Sequence, residues 1–301
     1  MRERIPVLLD TDIGSDIDDA VCLAYLLRQP RCELVGVTTV SGEAQKRAML
    51  ADAICRAGGR TDVPIHAGTE QALLIDMRQK QAPQAEVLDR WEHRDEFASN
   101  TAIDFMRGTI HARPGEITLL TIGPMTNAAL LFAIDPEVPR LLKGLVMMAG
   151  AFKCAAPSGR VVEWNILNDP HAAARVYQTD ARPHVSIGLD VTKPCVMDAD
   201  ECRRRLQGGA LDVVADMAEV WFKNVPRICF HDPLAGAVIF EPDLCTYQDG
   251  RVDVELKSDI VAGLTVFDRN DKDKPHRVGV DVDPERFFEH YFSVEIGRAH
   301  V

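Results

Sequence analysis

The chain has 301 residues, of which 46% are hydrophobic and 27% are charged. This balance excludes a disordered chain, and the length is sufficient for a core that needs no disulfide or metal for stability. The 34 basic and 46 acidic residues give a net charge of −12, which argues against nucleic acid or an anionic membrane as the main partner.

Short apolar segments alternate with helical segments through most of the chain. The predicted strands are 5–9, 33–40, 63–66, 116–122, 142–149 and 184–190. The predicted helices are 18–29, 43–58, 99–112, one from Pro124 and one after Asp169. Apolar strands separated by helices are typical of a parallel sheet covered on both faces. We therefore expect an α/β fold with an open, mostly parallel sheet flanked by helices.

The last hundred residues follow a different pattern. Helices are predicted at 198–206 and 210–224, at the end of the segment RICFHDPLAGAV, and from Pro284. Strands are predicted at 251–257, 263–267 and 276–281. This pattern indicates a small antiparallel part near the C-terminus. No linker rich in Pro, Gly or Ser divides the chain, so residues 1–301 are expected to form a single domain.

The eight cysteines include no CxxC pair, and most have apolar neighbours in the sequence. Reduced, buried thiols are the expectation for such a chain. The N-terminal segment MRERIPVLLDTD resembles neither a signal peptide nor a membrane span, because its apolar run is short and ends in acidic residues. A cytoplasmic location is expected.

The densest polar signal is the segment DTDIGSDIDDA, which follows the first predicted strand. It contains five aspartates: Asp10, Asp12, Asp16, Asp18 and Asp19. Ligands of open parallel sheets bind beyond the carboxyl ends of strands, where this loop is expected to lie. Clustered carboxylates without histidine or cysteine favour a hard cation, with Ca²⁺ ahead of Mg²⁺. The alternative is a solvated acidic turn in which Asp18 caps the following helix.

This segment resembles the aspartate-rich signature of the nucleoside hydrolases of the inosine-uridine-preferring type. The segment has the longer form of this signature, with two extra residues before the final Asp-Asp. Other segments occur in the family's order: TTVSG at 38–42, GPMTNAA at 123–129, EWNILNDPHAA at 163–173, GLDVT at 188–192 and HDPLA at 231–235. The resemblance implies a nucleoside hydrolase fold and Ca²⁺-dependent hydrolysis of the N-glycosidic bond of ribonucleosides. The products would be a free base and ribose, as in purine or pyrimidine salvage.

The resemblance also implies a set of calcium ligands. Asp12, Asp19, Asp232 and the backbone carbonyl of Thr126 match the positions that hold the ion. Asp12 further matches the aspartate that takes a proton from the attacking water. An all-oxygen set of this kind suits calcium, and an adjacent carboxylate can act as a general base.

A second implied set binds the nucleoside. Asp18 and Asp232 match residues that contact ribose hydroxyls, and Glu163 and Asn165 match residues that hold the sugar. Trp164, between them, replaces a common Phe. His231 matches a histidine near the leaving base. A group of anions facing the ribose would stabilise the positive charge that develops on the sugar during cleavage.

Two positions depart from the family pattern. Glu43 stands after TTVSG, where the common form has an Asn that contacts ribose. The usual Asn before Glu163 is missing near Pro157. We expect Glu43 to stay near the site, to hold a proton because Asp12 and Asp18 are close, and to alter the sugar preference.

Two other functions remain as alternatives at this level. One is a non-catalytic nucleoside- or ribose-binding protein on the same fold. The other is a phosphatase of the haloacid dehalogenase type with Asp10 as nucleophile, although Gly14 stands where that motif has Thr or Val. The family's dimers and tetramers imply a homodimer or homotetramer, with a small nucleoside as substrate and no nucleic acid or membrane as partner.

Overall fold

The structure is a computed structural model that describes residues 4–153 and 162–296. The strands are β1 (Ile5–Thr11), β2 (Cys32–Thr39), β3 (Ile65–Ala67), β4 (Thr118–Thr121), β5 (Gly144–Met148), β6 (His184–Ile187), β7 (Val196–Asp198), β8 (Arg227–Cys229), β9 (Cys245–Val254), β10 (Thr265–Asp268) and β11 (His276–Val282). Nine of them form one sheet in the order β10-β9-β11-β6-β5-β4-β1-β2-β3, and β7 and β8 form a separate ribbon.

The α-helices of the described residues are α1 (Asp18–Arg28), α2 (Ala44–Ala57), α3 (Ala102–Ala112), α4 (Thr126–Ile134), α5 (Val138–Leu141), α6 (Trp164–Asn168), α7 (Pro170–Tyr177), α8 (Leu189–Thr192), α9 (Ala199–Arg205), α10 (Ala210–Phe222), α11 (His231–Ala237) and α12 (Pro284–Ile296). Two 3₁₀ helices span Pro83–Arg90 and Pro242–Leu244.

Strand β1 is covered on both faces, as its continuous apolar sequence predicts. Val7 and Leu9 pack into one hydrophobic core, and Leu8 packs into the other with Met106 and Phe132. Strands β1 to β6 and β11 pair in parallel, whereas β9 pairs antiparallel with β11 and β10. The mostly parallel sheet with a small antiparallel part near the C-terminus is therefore confirmed.

Several predicted boundaries were wrong. Strand β6 ends at Ile187, and residues 189–192 form the short helix α8 because the chain turns after the sheet edge. Helix α4 begins at Thr126 rather than Pro124, and β9 begins at Cys245 rather than at 251. The β7–β8 ribbon, helix α6 and the 3₁₀ helix at 83–90 had no predicted counterpart. Elements of three to eight residues have too few positions to show a period.

Strand β1 is the point at which the strand order reverses. β2 lies on one side of it and β4 on the other, so the loops that follow β1 and β4 diverge and leave a crevice. This is the place where open α/β sheets bind ligands. The aspartate-rich segment begins there, because β1 ends at Thr11.

Two expectations concern the chain as a whole. Of the seven cysteines in the described residues, all are free and only Cys229 is partly exposed; Cys154 lies outside those residues. Within the same ranges, no helix combines the length and apolar character that crossing a bilayer would need.

Candidate active site

A cavity of about 850 Å³ opens beyond the carboxyl ends of β1, β4 and β5. Most residues singled out from the sequence line it. They are Asp12, Asp16, Asp18, Asp19, Glu163, Trp164, Asn165, His231 and Asp232. Loops far apart in sequence therefore place one set of polar groups in a single concave site, as expected for small-molecule binding.

Three of the carboxylates that line the cavity converge on one another. Asp18, Asp19 and Asp232 each place one carboxylate oxygen within 4.8 Å of the others, and all three residues are buried. Burial, followed by the neighbouring carboxylates, raises their pKa values well above the usual range. Such a group of carboxylates is unfavourable alone, and a cation placed among them would remove the repulsion.

The alternative in which Asp18 caps α1 is contradicted by the helix end, and Asp232 is not an N-cap either. Asp18 is the first residue of α1 and makes no capping hydrogen bond, because the N-cap position is Ile17. Asp232 lies in the first turn of α11, whose N-cap residue is Phe230. The backbone N–H of Asp232 instead donates to Oδ2 of Asp18 at 3.3 Å. Neither aspartate is therefore the N-cap of its own helix, and Asp18 instead binds the first turn of α11 within the cavity.

Asp12 is 4% exposed and sits beside the three carboxylates. Its backbone N–H donates to Oδ1 of Asp19 at 3.2 Å, and Oδ2 accepts a hydrogen bond from Nε2 of Gln79. Burial raises the pKa of Asp12, and the nearby Arg47 guanidinium opposes this shift. A carboxylate in a largely dry site, next to positive charge, suits a general base.

Asp10 lies behind the cavity and not within it. It is fully buried, and its Oδ1 accepts hydrogen bonds from Thr38 Oγ1 at 2.6 Å and Asn127 Nδ2 at 2.8 Å. A nucleophile must reach its substrate, so the structure contradicts the phosphatase alternative. Through these two hydrogen bonds Asp10 holds the end of β1 in place, and burial raises the pKa of Asp10 to about 7.

Glu163 and Asn165 are held rigidly at the start of α6. The Glu163 carboxylate accepts hydrogen bonds from the backbone N–H groups of Asn165 at 2.6 Å and Ile166 at 3.1 Å, and so caps the helix. Nδ2 of Asn165 donates to the carbonyls of Ile122 at 2.7 Å and Met148 at 3.1 Å. These carbonyls lie at the ends of β4 and β5, so the sheet itself positions both side chains. Burial raises the pKa of Glu163 to about 7.

His231 lines the cavity from the first turn of α11. Its Nδ1 lies 2.7 Å from Thr192 Oγ1, which fixes the orientation of the ring. Burial lowers the pKa of His231 to about 4, so the imidazole is neutral at pH 7. A neutral imidazole has one N–H donor and one acceptor nitrogen, and Thr192 engages one of the two.

Thr126 lies at the start of α4 but does not line the cavity. Its hydroxyl donates to Oδ2 of Asp169 at 2.8 Å, and Oδ1 of Asp169 caps α7 through the N–H of Ala172. The side chain of Thr126 therefore has a structural partner. The role of its backbone carbonyl as a ligand stays a prediction.

The comparisons with known proteins agree with this geometry. The family described as inosine-uridine preferring nucleoside hydrolase matches residues 7–289. This chain belongs to that family. It is a nucleosidase, an enzyme that hydrolyses the N-glycosidic bond of ribonucleosides.

Individual relatives of this nucleosidase cover nearly its whole length. A probable uridine nucleosidase of Arabidopsis thaliana is 28% identical over 93% of this chain and 94% of its own. A pyrimidine-specific ribonucleoside hydrolase of Citrobacter koseri is 31% identical over 94% and 95%. The solved structure of a purine-preferring ribonucleoside hydrolase from Gardnerella vaginalis superposes with a TM-score of 0.84 and 26% identity, over 97% of this chain and 98% of that one.

The structure contradicts one part of the prediction for Glu43, its protonation, whereas an effect on sugar preference stays a prediction. Its side chain is outside the residues that line the cavity and is 30% exposed. The carboxylate accepts hydrogen bonds from Lys46 Nζ at 2.6 Å and the backbone N–H of Ala82 at 2.8 Å. The bond to Lys46 lowers the pKa of Glu43, so the expected retained proton is wrong. The second departure, near Pro157, lies outside the described residues.

Two residues next to Asp12 were not predicted from the sequence: Gln79, which lines the nucleosidase cavity, and Arg47, which lies behind it. Arg47 is fully buried in α2. A signal for it existed, because Arg47 stands on the same apolar stripe as Ala44, Ala48 and Ala51, where an unpaired charge would be costly. Gln79 lies in a polar stretch without periodicity, and nothing in the sequence distinguishes it from its neighbours.

Proposed function

We propose that this nucleosidase is a Ca²⁺-dependent ribonucleoside hydrolase in which Asp12 is the general base. The observation that carries the proposal is the group of buried carboxylates beside Asp12 in the cavity. Relatives named for purine and for pyrimidine nucleosides are both similar to this chain, so a purine and a pyrimidine nucleoside are both suitable test substrates.

The donor set fits a calcium ion. Asp18, Asp19 and Asp232 offer converging oxygens, Asp12 adjoins them, and neither histidine nor cysteine belongs to the group. By the family pattern, Asp12, Asp19, Asp232 and the carbonyl of Thr126 would hold the ion. When bound, it supplies positive charge that lowers the pKa of a nearby water.

The chain's own residues account for the remaining chemistry. Asp12 accepts a proton from the attacking water as the water adds to the anomeric carbon of ribose. Glu163 and Asn165 hold the sugar, and Asp18 and Asp232 accept hydrogen bonds from its hydroxyls. Their negative charge stabilises the positive charge that develops on ribose while the bond to the base breaks.

His231 and Trp164 serve the leaving base. His231 is neutral and fixed by Thr192, so a ring N–H directed at the base can donate a hydrogen bond as negative charge develops there. Trp164 is 49% exposed at the cavity wall and offers an apolar face for a planar base.

We further propose that the protein is cytoplasmic and forms a homodimer or homotetramer. Size-exclusion chromatography with light scattering tests the oligomeric state.

The test of the function is release of reducing sugar from uridine and inosine. Wild-type protein with calcium should turn over at least one of them, and metal-stripped protein should not. Asp12→Asn keeps the shape of the side chain but removes the proton acceptor, so kcat should fall by on the order of 10²-fold or more. The control is Asp10→Asn, which changes a nearby buried aspartate outside the cavity. Equal activity of wild type and Asp12→Asn would contradict the assignment of the base.

A further inference from the structure

Gln79 connects two side chains that line the cavity. Its Nε2 donates to Oδ2 of Asp12, and its Oε1 accepts from the indole Nε1 of Trp164 at 2.6 Å. Gln79 is 8% exposed and lies in the connection between β3 and the 3₁₀ helix at 83–90. Both ends of its side-chain amide are therefore engaged within the site.

The two contacts fix the direction of the amide. An indole N–H can only donate a hydrogen bond, and an ionised carboxylate can only accept one. The amide oxygen must therefore face Trp164, and the NH₂ group must face Asp12. A flipped amide would place its oxygen against the carboxylate and its NH₂ against the indole N–H, which is unfavourable on both sides.

The backbone of Gln79 is also anchored. Its N–H donates to Oδ1 of Asn168 at 3.2 Å, and its carbonyl accepts from the N–H of Gly42 at 3.2 Å. The first bond ties the segment to α6, and the second ties it to the connection between β2 and α2. The amide is thus presented to Asp12 from a fixed point.

On the other side, Asp12 meets the backbone of Gly123. A Cβ atom at Gly123 would lie only 2.8 Å from Oδ1 of Asp12, so one carboxylate oxygen packs against a position that only glycine leaves open. The other oxygen receives the Gln79 amide. The carboxylate is held between these two contacts, which restrict its rotation.

We propose that Gln79 is a positioning residue for Asp12 and that the Trp164 indole N–H orients Gln79. This rests on the proposed function, in which Asp12 accepts the proton of the attacking water. Gln79 holds the carboxylate of Asp12 in place for proton transfer, and the indole N–H of Trp164 keeps the side-chain amide of Gln79 from flipping. A small misplacement of a base lowers the rate of proton transfer more than it lowers substrate affinity.

A double-mutant cycle tests this pairing. The variants are Gln79→Met, which keeps the length of the side chain, Trp164→Phe, which removes the indole N–H, and the double variant. Each single change should lower kcat on the better of uridine and inosine by about tenfold and leave KM within about twofold. The double variant should be no slower than the slower single variant, because both changes remove the same restraint.

The matched control is Trp221→Phe. Trp221 also lines the cavity, but its indole N–H donates to the carbonyl of Arg227 at 2.9 Å. The fold-reductions in kcat caused by Trp221→Phe and by Gln79→Met should multiply when the two changes are combined in one variant. The thermal midpoint of each variant separates a folding defect from a defect in kcat.

The outcomes distinguish a failure of the positioning role from a failure of the proposed function. If wild type turns over a nucleoside but the effects of Gln79→Met and Trp164→Phe multiply, or fall on KM alone, the positioning role is overturned and the proposed function stands. If wild type turns over neither substrate under any metal condition, the proposed function fails, and this inference fails with it.

Discussion

Glu43 shows how one backbone conformation decides the role of a side chain. It has φ 62° and ψ 39°, the left-handed region that disfavours residues other than Gly, Asn and Asp. The family's common Asn suits this conformation as well as a sugar contact. Glu43 instead bonds to Lys46 and to the N–H of Ala82, and its side chain does not line the cavity.

We therefore expect Glu43→Asn to be nearly silent in catalysis. The kcat/KM for uridine and inosine should stay within about threefold, since the carboxylate does not line the cavity. The free energy of unfolding should change by no more than about 1 kcal/mol, because relief of left-handed strain offsets the lost bond to Ala82. Glu43→Gln keeps the length of the side chain and is the control. A clear rise in kcat/KM for Glu43→Asn alone would mean that position 43 reaches the sugar.

At the scale of the elements, Arg47 joins the aspartate-rich segment to two other loops. Its guanidinium donates to the carbonyls of Ile13 at 3.0 Å, Gln81 at 2.9 Å and Gly42 at 2.9 Å. It also donates to the carbonyl of Asp12. Burial of this cation among carboxylates and carbonyls balances part of the negative charge in the site and holds the long loop in place.

Removing this cation should destabilise the fold. Arg47→Met leaves four backbone carbonyls without their donor and should lower the free energy of unfolding by about 3–5 kcal/mol. Arg47→Lys keeps the charge but lacks the branched donor set, so its loss should be smaller. Urea denaturation at pH 7 measures both. A loss below about 1 kcal/mol for Arg47→Met would show that water replaces the guanidinium.

A buried pair of histidines, His184 and His276, lies at the starts of the neighbouring strands β6 and β11. His276 of β11 accepts at Nδ1 from the N–H of Val252 at 2.8 Å, and its Nε2 lies 2.9 Å from the carbonyl of Tyr177. These partners require a neutral ring with the proton on Nε2. His184 stacks on Tyr177, and neither of its ring nitrogens has a hydrogen-bond partner among the described residues.

This pair should make stability depend on pH. Burial lowers the pKa of His276 to about 4 and that of His184 well below its usual range. Their neutral forms favour folding, so this contribution is complete above about pH 6.5 and is lost as pH falls towards 4. His184→Phe keeps the stacked ring without a titrating group. It should raise the free energy of unfolding more at pH 5 than at pH 8.

The control for the histidine pair is His276→Phe. It removes the partners of the Val252 N–H and the Tyr177 carbonyl, so it should destabilise the protein at both pH values. Equal gains for His184→Phe at pH 5 and pH 8 would show that the pKa of His184 is the same in the folded and unfolded states.

For the whole molecule, calcium should act as a stabilising ligand. An ion bound only by the folded state adds RT ln(1 + [L]/Kd), which is about 2.7 kcal/mol at 100 times Kd. Scanning calorimetry should show a higher Tm with calcium than with chelator. Asp19→Asn should weaken calcium affinity by at least about tenfold. Asp16→Asn should weaken it less, because Asp16 is outside the group of three converging carboxylates. An unchanged Tm on adding calcium would contradict the proposed ion.

The sequence predicted the parallel sheet because β1, β2 and β4 to β6 are apolar segments between helices. It predicted most of the cavity because short motifs follow strand ends, and strand ends of a parallel sheet meet at one edge. The position of Glu43 could not be predicted, since it depends on Lys46 and the N–H of Ala82. The apolar stripe of α2 marked Arg47 as unusual, but its partners, like those of Gln79, come from loops distant in sequence and could not be predicted.

The placement of the tryptophans gives the protein an optical probe of its own site. The chain has three tryptophans, and two of them, Trp164 and Trp221, line the cavity. Trp91 is elsewhere, where its indole N–H donates to Asp216 at 2.9 Å. A ligand that covers the half-exposed Trp164 changes the polarity around its ring. Intrinsic fluorescence should therefore report occupancy directly, and in Trp221→Phe the signal of the cavity would come from Trp164 alone.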